Sequence, residues 1–237
     1  MRRTQKRKIY TTGKVTRPRC QCDPQCPNPP LKGQPFCANH MHSCKRISPL
    51  SGSEPVFNPD KYNKSHTIQD SHNCFAYAFD HYDPPVCDKK QCNSLPFHQP
   101  GRKAGFPRWS EIKGKRCPDL IARLKADIPG INLVTFREKC PKGTSKISLV
   151  VDPKNDYHFY RQDSDGKWSH KPGATKVTRL DSNGKWIYDP SLANRDYRHT
   201  GSNLNYKYHC SYLCAPKNRT LKFKRGGKNK TIKRRTV

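Results

Sequence analysis

The stretch SHNCFAYAFD, residues 71–80, places a polar Ser-His-Asn triplet directly before one cysteine and an apolar, aromatic run. Asn73 is a good helix N-cap, because its side-chain oxygen can accept a hydrogen bond from a backbone N–H of the first turn. The pattern therefore predicts a short helix that begins at Cys74. The thiol is either a nucleophile at the start of a helix or a buried cysteine that packs in an ordinary core.

Downstream of this helix, the sequence predicts one longer helix and then an antiparallel sheet. Residues 118–128 repeat apolar side chains at helical spacing behind Pro118. Asp-Gly at 165–166 and Asn-Gly at 183–184 favour hairpin turns. Strands are predicted over residues 145–152, 156–163, 167–171, 175–180 and 185–189. The expected fold class is α+β, with the helices and the antiparallel sheet in separate parts of the chain.

A thiol hydrolase needs a base beside its cysteine and a group that orients this base. His158 lies in a predicted strand, and Asp189 ends a later one. An antiparallel sheet could place Asp189 beside His158 and turn the imidazole toward Cys74, as in papain-like enzymes. Gln69, five residues before Cys74, is the candidate oxyanion donor, together with the Cys74 backbone N–H.

Spacing alone leaves other assignments open. His72 and His170 are rival bases, and His158 could instead be a buried strand residue with a structural hydrogen bond. A chain with twelve cysteines offers many combinations of one thiol, one imidazole and one carboxylate. The triad is therefore one hypothesis, and a packing role for Cys74 is the other.

Six side chains of metal-ligand type fall within 25 residues near the start of the chain: Cys20, Cys22, Cys26, Cys37, His40 and Cys44. Thiolates and an imidazole at these spacings suit tetrahedral Zn²⁺. We expect a structural zinc knuckle whose four ligands come from these six, with Cys20 or Cys22 joining Cys26, Cys37 and His40. Two disulfides or unpaired thiols in a loop are the alternative.

Six further cysteines follow the one at position 74: Cys87, Cys92, Cys117, Cys140, Cys210 and Cys214. Packing or disulfide roles are the leading interpretation for them. A second metal site built from the first four is a weaker hypothesis.

Basic residues are concentrated at the two ends of the chain. The net charge is +29, and residues 1–19 and 217–237 carry eight and ten basic residues without one acidic residue. Blocks of like charge repel one another unless a polyanion neutralises them. We expect these arms to bind an acidic surface, such as DNA or an acidic protein, through salt-dependent contacts. Solubilising or nuclear-targeting tails are the alternative.

The sequence predicts four regions: a basic arm, a knuckle with a linker, the α+β domain and a second basic arm, at 1–19, 20–65, 66–216 and 217–237. No stretch approaches the roughly 18 apolar residues that cross a bilayer. The first ten residues lack the apolar segment of a signal peptide. We therefore expect a protein that neither spans a membrane nor is secreted.

Several long motifs resemble a known group of proteins. PLSGSEPVFNP at 49–59, SHNCFAYAFD, FHQPG at 97–101, and DYHFYRQDSDGKWSHKPG at 156–173 with the later IYDP are similar to virion-associated proteins of nucleocytoplasmic large DNA viruses. Parts of them also resemble bacterial and phage domains of NlpC/P60-like, papain-like type. The resemblance implies a papain-like fold in which Cys74 is the helix cysteine, His158 the strand histidine and Asp189 the third residue.

The resemblance also implies a function and a location. The expectation is a virion-associated thiol peptidase or amidase, present in virions, host cytoplasm or virus factories. The alternative is a non-catalytic minor capsid or core protein in a multi-subunit assembly, whose arms contact capsid neighbours or packaged DNA. A DNA-binding module centred on the knuckle ranks last, because no helix rich in base-reading side chains is evident.

Overall fold

The computed structural model describes residues 10–11, 14–15, 26–32, 37–41, 48–85, 96–109, 116–216 and 223. The chain divides into two compact units, Met1–Arg46 and Ile47–Val237. In the first unit, β1 (Tyr10–Thr11) pairs antiparallel with β2 (Lys14–Val15), and a 3₁₀ turn covers Ala38–His40. Most of both basic arms lies outside the described residues, as do Cys20, Cys22, Cys44, Cys87 and Cys92.

Among its described residues, the second unit contains four α-helices and a five-stranded sheet. The helices are α1 (Asp60–Asn63), α2 (His66–Ser71), α3 (Cys74–Ala78) and α4 (Cys117–Asp127), and a 3₁₀ turn covers Arg198–Thr200. The strands are β3 (Asn132–Val134), β4 (Thr144–Asp152), β5 (Asp156–Gln162), β6 (Trp168–His170) and β7 (Tyr208–Pro216).

The sheet has the order β3-β7-β4-β5-β6, and every neighbouring pair is antiparallel. The chain therefore has the predicted α+β class. In the part of the chain that the structure describes, no helix is long and apolar enough to cross a membrane. This agrees with the expectation from the sequence.

Both faces of the sheet are covered, because successive side chains of a strand point to opposite faces. Leu149, Phe159 and Leu213 face a core that also contains Phe75 of α3 and Leu124 of α4. The opposite face carries an aromatic core closed by the segment between β6 and β7; its members include Val150, Tyr160, Trp168, Ile187, Tyr206 and Tyr212. The strands β4 and β5 are therefore buried on both sides.

The elements around the opening stretch follow the sequence closely. The side chain of Asn73 accepts a hydrogen bond from the N–H of Ala76 (3.1 Å), so the predicted N-cap and the helix start at Cys74 are confirmed. The strands predicted over 175–180 and 185–189 are wrong, since only isolated bridges form there, such as Leu180 with Trp186. The strand β7, which lies between β3 and β4, was not predicted.

A buried ion pair ties α3 to the sheet. Arg161 on β5 has a side chain that is 1% exposed, and it contacts Asp80 (3.1 Å) and Asp163 (3.0 Å). Its guanidinium also lies over the ring of Tyr77, 3.9 Å from the centroid. Paired in this way, the buried charge avoids most of the desolvation cost that an isolated one would carry.

Two disulfides join β7 to other parts of the unit. Cys117 at the start of α4 is bonded to Cys210, and Cys140 is bonded to Cys214. These bonds remove Cys117 and Cys140 as thiolate ligands. The hypothesis of a second metal site built from Cys87, Cys92, Cys117 and Cys140 is therefore wrong, because two of its four members are disulfide-bonded.

Candidate functional site

The first residue of α3 and the middle of β5 meet at one cavity of about 320 Å³. Cys74 and His158 both line it, so the structure brings together the two residues that the sequence singled out as thiol and base. The other lining residues include Asn73, Gln99, Trp109, Asp156 and Tyr206. Cys74 is only 5% exposed, so its thiol packs in the core and also lines the cavity.

The segment that contains FHQPG closes one side of the cavity. Gly101 has φ +82°, and a Cβ on it would lie 2.8 Å from Cγ of Arg123, so only glycine fits. Its N–H donates to the carboxylate of Asp127 at 2.6 Å. The neighbouring Gln99 accepts from the N–H of Trp109 at 3.1 Å. The last of these bonds fixes the side chain of Gln99, which lines the cavity.

His158 is paired with another histidine. Nε2 of His158 lies 2.7 Å from Nδ1 of His170 on β6, and Nε2 of His170 lies 2.9 Å from the carbonyl oxygen of Leu180. A carbonyl only accepts, so His170 carries its proton on Nε2 and accepts through Nδ1. His158 then donates from Nε2, and in the neutral ring its Nδ1 is an acceptor. This chain of hydrogen bonds fixes both tautomers.

Asp189 and Gln69 lie elsewhere. The carboxylate of Asp189 accepts from the hydroxyl of Tyr212 and from the N–H of Ser191 (2.8 Å), and it does not line the cavity. The side chain of Gln69 donates to the carbonyl of Ala174 at 3.1 Å and is likewise absent from the lining. The position beside His158 that the sequence assigned to Asp189 is occupied by His170.

The rival base His72 has a structural environment. It is fully buried, its Nδ1 lies 2.9 Å from the carbonyl of Ile68, and its Nε2 accepts from the N–H of Asp83 at 3.0 Å. Sequence reasoning named His170 only as a rival base and did not anticipate its contact with His158. The signal that could have found it is the Asp-Gly turn at 165–166, which pairs Tyr160 with His170 across the hairpin.

Burial opposes the charged forms of this thiol and imidazole. It raises the pKa of Cys74 to about 12, with a further contribution from the charge of Asp156. Burial and the neighbouring His170 lower the pKa of His158 well below its usual range, and burial lowers the pKa of His170 to about 4. At neutral pH the pair is a thiol and a neutral imidazole, not the thiolate and imidazolium of a primed nucleophile.

We therefore expect Cys74 to react slowly with iodoacetamide. With a pKa of about 12, its thiolate fraction at pH 8 is roughly 2000-fold below that of an ordinary cysteine of pKa about 8.5. Mass spectrometry of the peptide that contains Cys74 measures the rate against pH, and a Cys74→Ser variant confirms the assignment. A rate that levels off near pH 7 and depends on His158 would instead show an ion pair.

A separate cluster lies in the first unit. The ligand atoms of Cys26, Cys37 and His40 all lie within 4.8 Å of one another. The two sulfurs are 3.7 Å apart, and Sγ of Cys37 is 3.3 Å from Nδ1 of His40. Both cysteines are buried, whereas His40 at the end of the 3₁₀ turn is half-buried. Three of the six predicted metal ligands are thus grouped as a site that could hold a metal.

Comparison with known proteins gives one informative similarity. The chain is 36% identical over 139 residues to insoluble matrix shell protein 1 of Ruditapes philippinarum, and the aligned part covers 59% of this chain and 80% of that protein. No family model and no solved structure matches the chain.

This similarity corrects the function expected from the sequence. A virion-associated peptidase and a minor capsid or core protein are both wrong, because the similar protein belongs to a mollusc shell matrix. The expected location in virions, host cytoplasm or virus factories, and the expectation that the protein is not secreted, are also wrong. Disulfides such as Cys117–Cys210 persist in oxidising compartments, which agrees with a matrix outside the cell. The basic arms are therefore not assigned to capsid neighbours or packaged DNA.

Proposed function

The chain belongs to the same family as insoluble matrix shell protein 1, and from this premise we propose that it is a structural protein of an extracellular matrix. The similarity over most of that protein's length carries the proposal. Disulfides within the α+β unit support it, because they stabilise secreted proteins that work without chaperones or a reducing cytosol. A neutral, buried Cys74 supports a structural role for the same unit.

Its partners in this proposal are carboxylate-rich macromolecules of the matrix. A net charge of +29 with basic segments at both ends attracts polyanions over distances set by the ionic strength. Residues 1–19 contain eight basic residues and residues 217–237 contain ten, and neither segment contains an acidic residue. Acidic residues within these segments therefore cannot neutralise their positive charge. Binding would then be strong at low salt and weak at high salt.

The experiment removes charge without disturbing the fold. Phe223 is buried, with its ring centroid 4.6 Å from that of Phe75, so a truncation should retain it. Deleting 224–237 removes seven basic residues. We expect this variant to bind poly-aspartate about tenfold or more weakly at low salt and with a flatter salt dependence, because fewer counterions are released on binding.

A matched variant separates charge from length. It keeps residues 224–237 but replaces their seven lysines and arginines by glutamine. The proposal requires this variant to behave like the truncation, in fluorescence anisotropy titrations from low to near-physiological salt. Salt-insensitive binding, or equal binding by all three proteins, would contradict electrostatic capture of acidic partners.

We propose that the second unit has a papain-like arrangement that serves as a structural body. What supports this is the combination of a cysteine that begins a helix and a histidine on a neighbouring strand, Cys74 and His158, at one cavity. α3 also packs against β5 through Phe75 and Phe159, whose ring centroids are 5.6 Å apart. This packing keeps Cys74 and His158 at the same cavity. In this proposal the Cys74 thiol contributes to packing.

We further propose that the first unit binds a structural Zn²⁺ through Cys26, Cys37 and His40. Two thiolates on one tetrahedral zinc, with Zn–S bonds of about 2.3 Å, have sulfurs about 3.8 Å apart. The observed separation of 3.7 Å between Cys26 and Cys37 supports this geometry. It is also well beyond the roughly 2.05 Å of a disulfide. Cys20, Cys22 and Cys44, which lie outside the described residues, are the candidates for the fourth ligand.

A further inference from the structure

A second cluster of metal-ligand type lies beyond α3 in the α+β unit. The ligand atoms of His81, Asp83 and His98 all lie within 4.8 Å of one another. Nε2 of His98 is 3.5 Å from Oδ2 of Asp83. The rings of His81 and His98 are nearly perpendicular, with centroids 4.7 Å apart. The fold thus brings two imidazoles and a carboxylate from two chain segments to one place.

The backbone of each member is fastened to the segment around α3. The N–H of His81 donates to the carbonyl of Ala76 at 2.8 Å. The N–H of Asp83 donates to Nε2 of His72 at 3.0 Å, and the side chain of Asn73 donates to the carbonyl of His98, also at 3.0 Å. These bonds hold the three residues together before any ligand arrives, which lowers the cost of binding one.

We propose that His81, Asp83 and His98 form a metal site for a borderline divalent cation, with Zn²⁺ as the prime candidate. Two imidazoles and one carboxylate are a typical three-residue ligand set for zinc, with the fourth position left to water. Calcium is disfavoured, because it prefers six to eight oxygen ligands. The site is separate from the cysteine knuckle and goes beyond the proposed matrix function.

The distances require little movement. Neighbouring ligand atoms around a tetrahedral zinc are about 3.3 Å apart, and the pair of His98 and Asp83 is already at 3.5 Å. The side chain of His98 is 1% exposed and that of Asp83 is 55% exposed, so the site combines a buried imidazole with a carboxylate that solvent and metal ions can reach. The alternative explanation of this geometry is an ion pair between a protonated His98 and Asp83, with no metal bound.

Titration of the full-length, disulfide-intact protein with Co²⁺ and Zn²⁺ tests the proposal. Cobalt bound to thiolates gives a strong charge-transfer absorption, whereas cobalt at a site without sulfur gives only weaker ligand-field bands. We expect His81→Gln and Asp83→Asn to weaken the sulfur-free site by more than about 100-fold, since loss of even an outer-sphere partner costs 10- to 100-fold. The thiolate absorption should not change.

His66→Gln is the matched control, because His66 is an exposed histidine on the neighbouring α2. It should bind metal as the unaltered protein does, and added Zn²⁺ should raise the melting temperature of both more than that of Asp83→Asn. Equal stoichiometry in all variants would overturn the proposal in favour of the ion pair. Equal losses in His66→Gln and His81→Gln would overturn it in favour of diffuse surface binding.

Discussion

Replacing Cys140 and Cys214 together by alanine is expected to lower the free energy of unfolding by about 4 kcal/mol. The bond closes a loop across a sequence separation of 74 residues, and chain-entropy arguments assign roughly this amount to a cross-link of such length. Both cysteines are at most 2% exposed, so their removal also leaves small gaps in a packed region. Urea denaturation under non-reducing conditions measures the change.

The control for this prediction is Cys74→Ala. Cys74 is buried like the two bonded cysteines but lies in no disulfide, so its replacement costs only packing, on the order of 1 kcal/mol. Non-reducing peptide mapping should recover Cys140 and Cys214 as one linked pair in the unaltered protein. If the double variant and Cys74→Ala lost equal stability, the cross-link would not be what stabilises this part of the sheet.

Removing zinc from the first unit is expected to have the other large effect, namely loss of its folded structure. Among residues 26–32 and 37–41 of this unit, Cys26 and Cys37 alone are buried, so the metal would supply the folding free energy. Structural zinc contributes about 10–16 kcal/mol in small zinc-binding peptides at neutral pH. We expect Cys37→Ser to lose the zinc of this unit and to expose the unit to proteolysis.

Cys74→Ser provides the comparison for the zinc experiment, because it removes a buried thiol from the other unit. It should retain as much zinc as the unaltered protein, measured by elemental analysis of the purified protein, and its first unit should stay resistant to protease, whereas Cys37→Ser should hold one equivalent less. Chelation by EDTA should reproduce the effect of Cys37→Ser. A disulfide between Cys26 and Cys37 with no bound zinc would contradict the expectation.

If both predictions hold, the two units are stabilised in different ways. The α+β unit combines a two-sided sheet with disulfides, and the first unit would rely on a metal. A matrix outside the cell supplies no reducing agents to break the disulfides of the larger unit. At the proposed zinc site, Cys26 and Cys37 would be held as metal ligands, which would protect their thiolates from oxidation. In the proposed function, this combination would let the chain persist in an extracellular matrix.

Local patterns in the sequence sufficed to predict the elements around the candidate site. Asn73 caps α3 by accepting a hydrogen bond from the N–H of Ala76, three residues further along the chain. Leu120 and Leu124 are four residues apart, the spacing that places both on the core side of α4. The turn at 165–166 specifies the hairpin of β5 and β6. All of these depend on contacts between residues close in sequence, which propensity and periodicity report.

The clusters of basic residues and of possible metal-ligand residues could also be predicted from the sequence, because both depend only on composition and spacing along the chain. Three of the six knuckle candidates, Cys26, Cys37 and His40, do come together. The excess of basic residues at both ends needs no fold to be recognised. The family and the cellular setting did not follow from the residues, since a motif resemblance pointed to virions and the similarity to a shell matrix protein overturned it.

Tertiary structure alone decided which distant residues meet. β7 lies between β3 and β4, and only this long-range pairing brings Cys214 to Cys140. The partner of His158 is His170 and not Asp189, because the strand expected at 185–189 does not form and Asp189 instead accepts from Tyr212. Sequence determines local conformation through short-range sterics and hydrogen bonds, whereas the neighbours of a buried side chain are set by how the whole sheet packs.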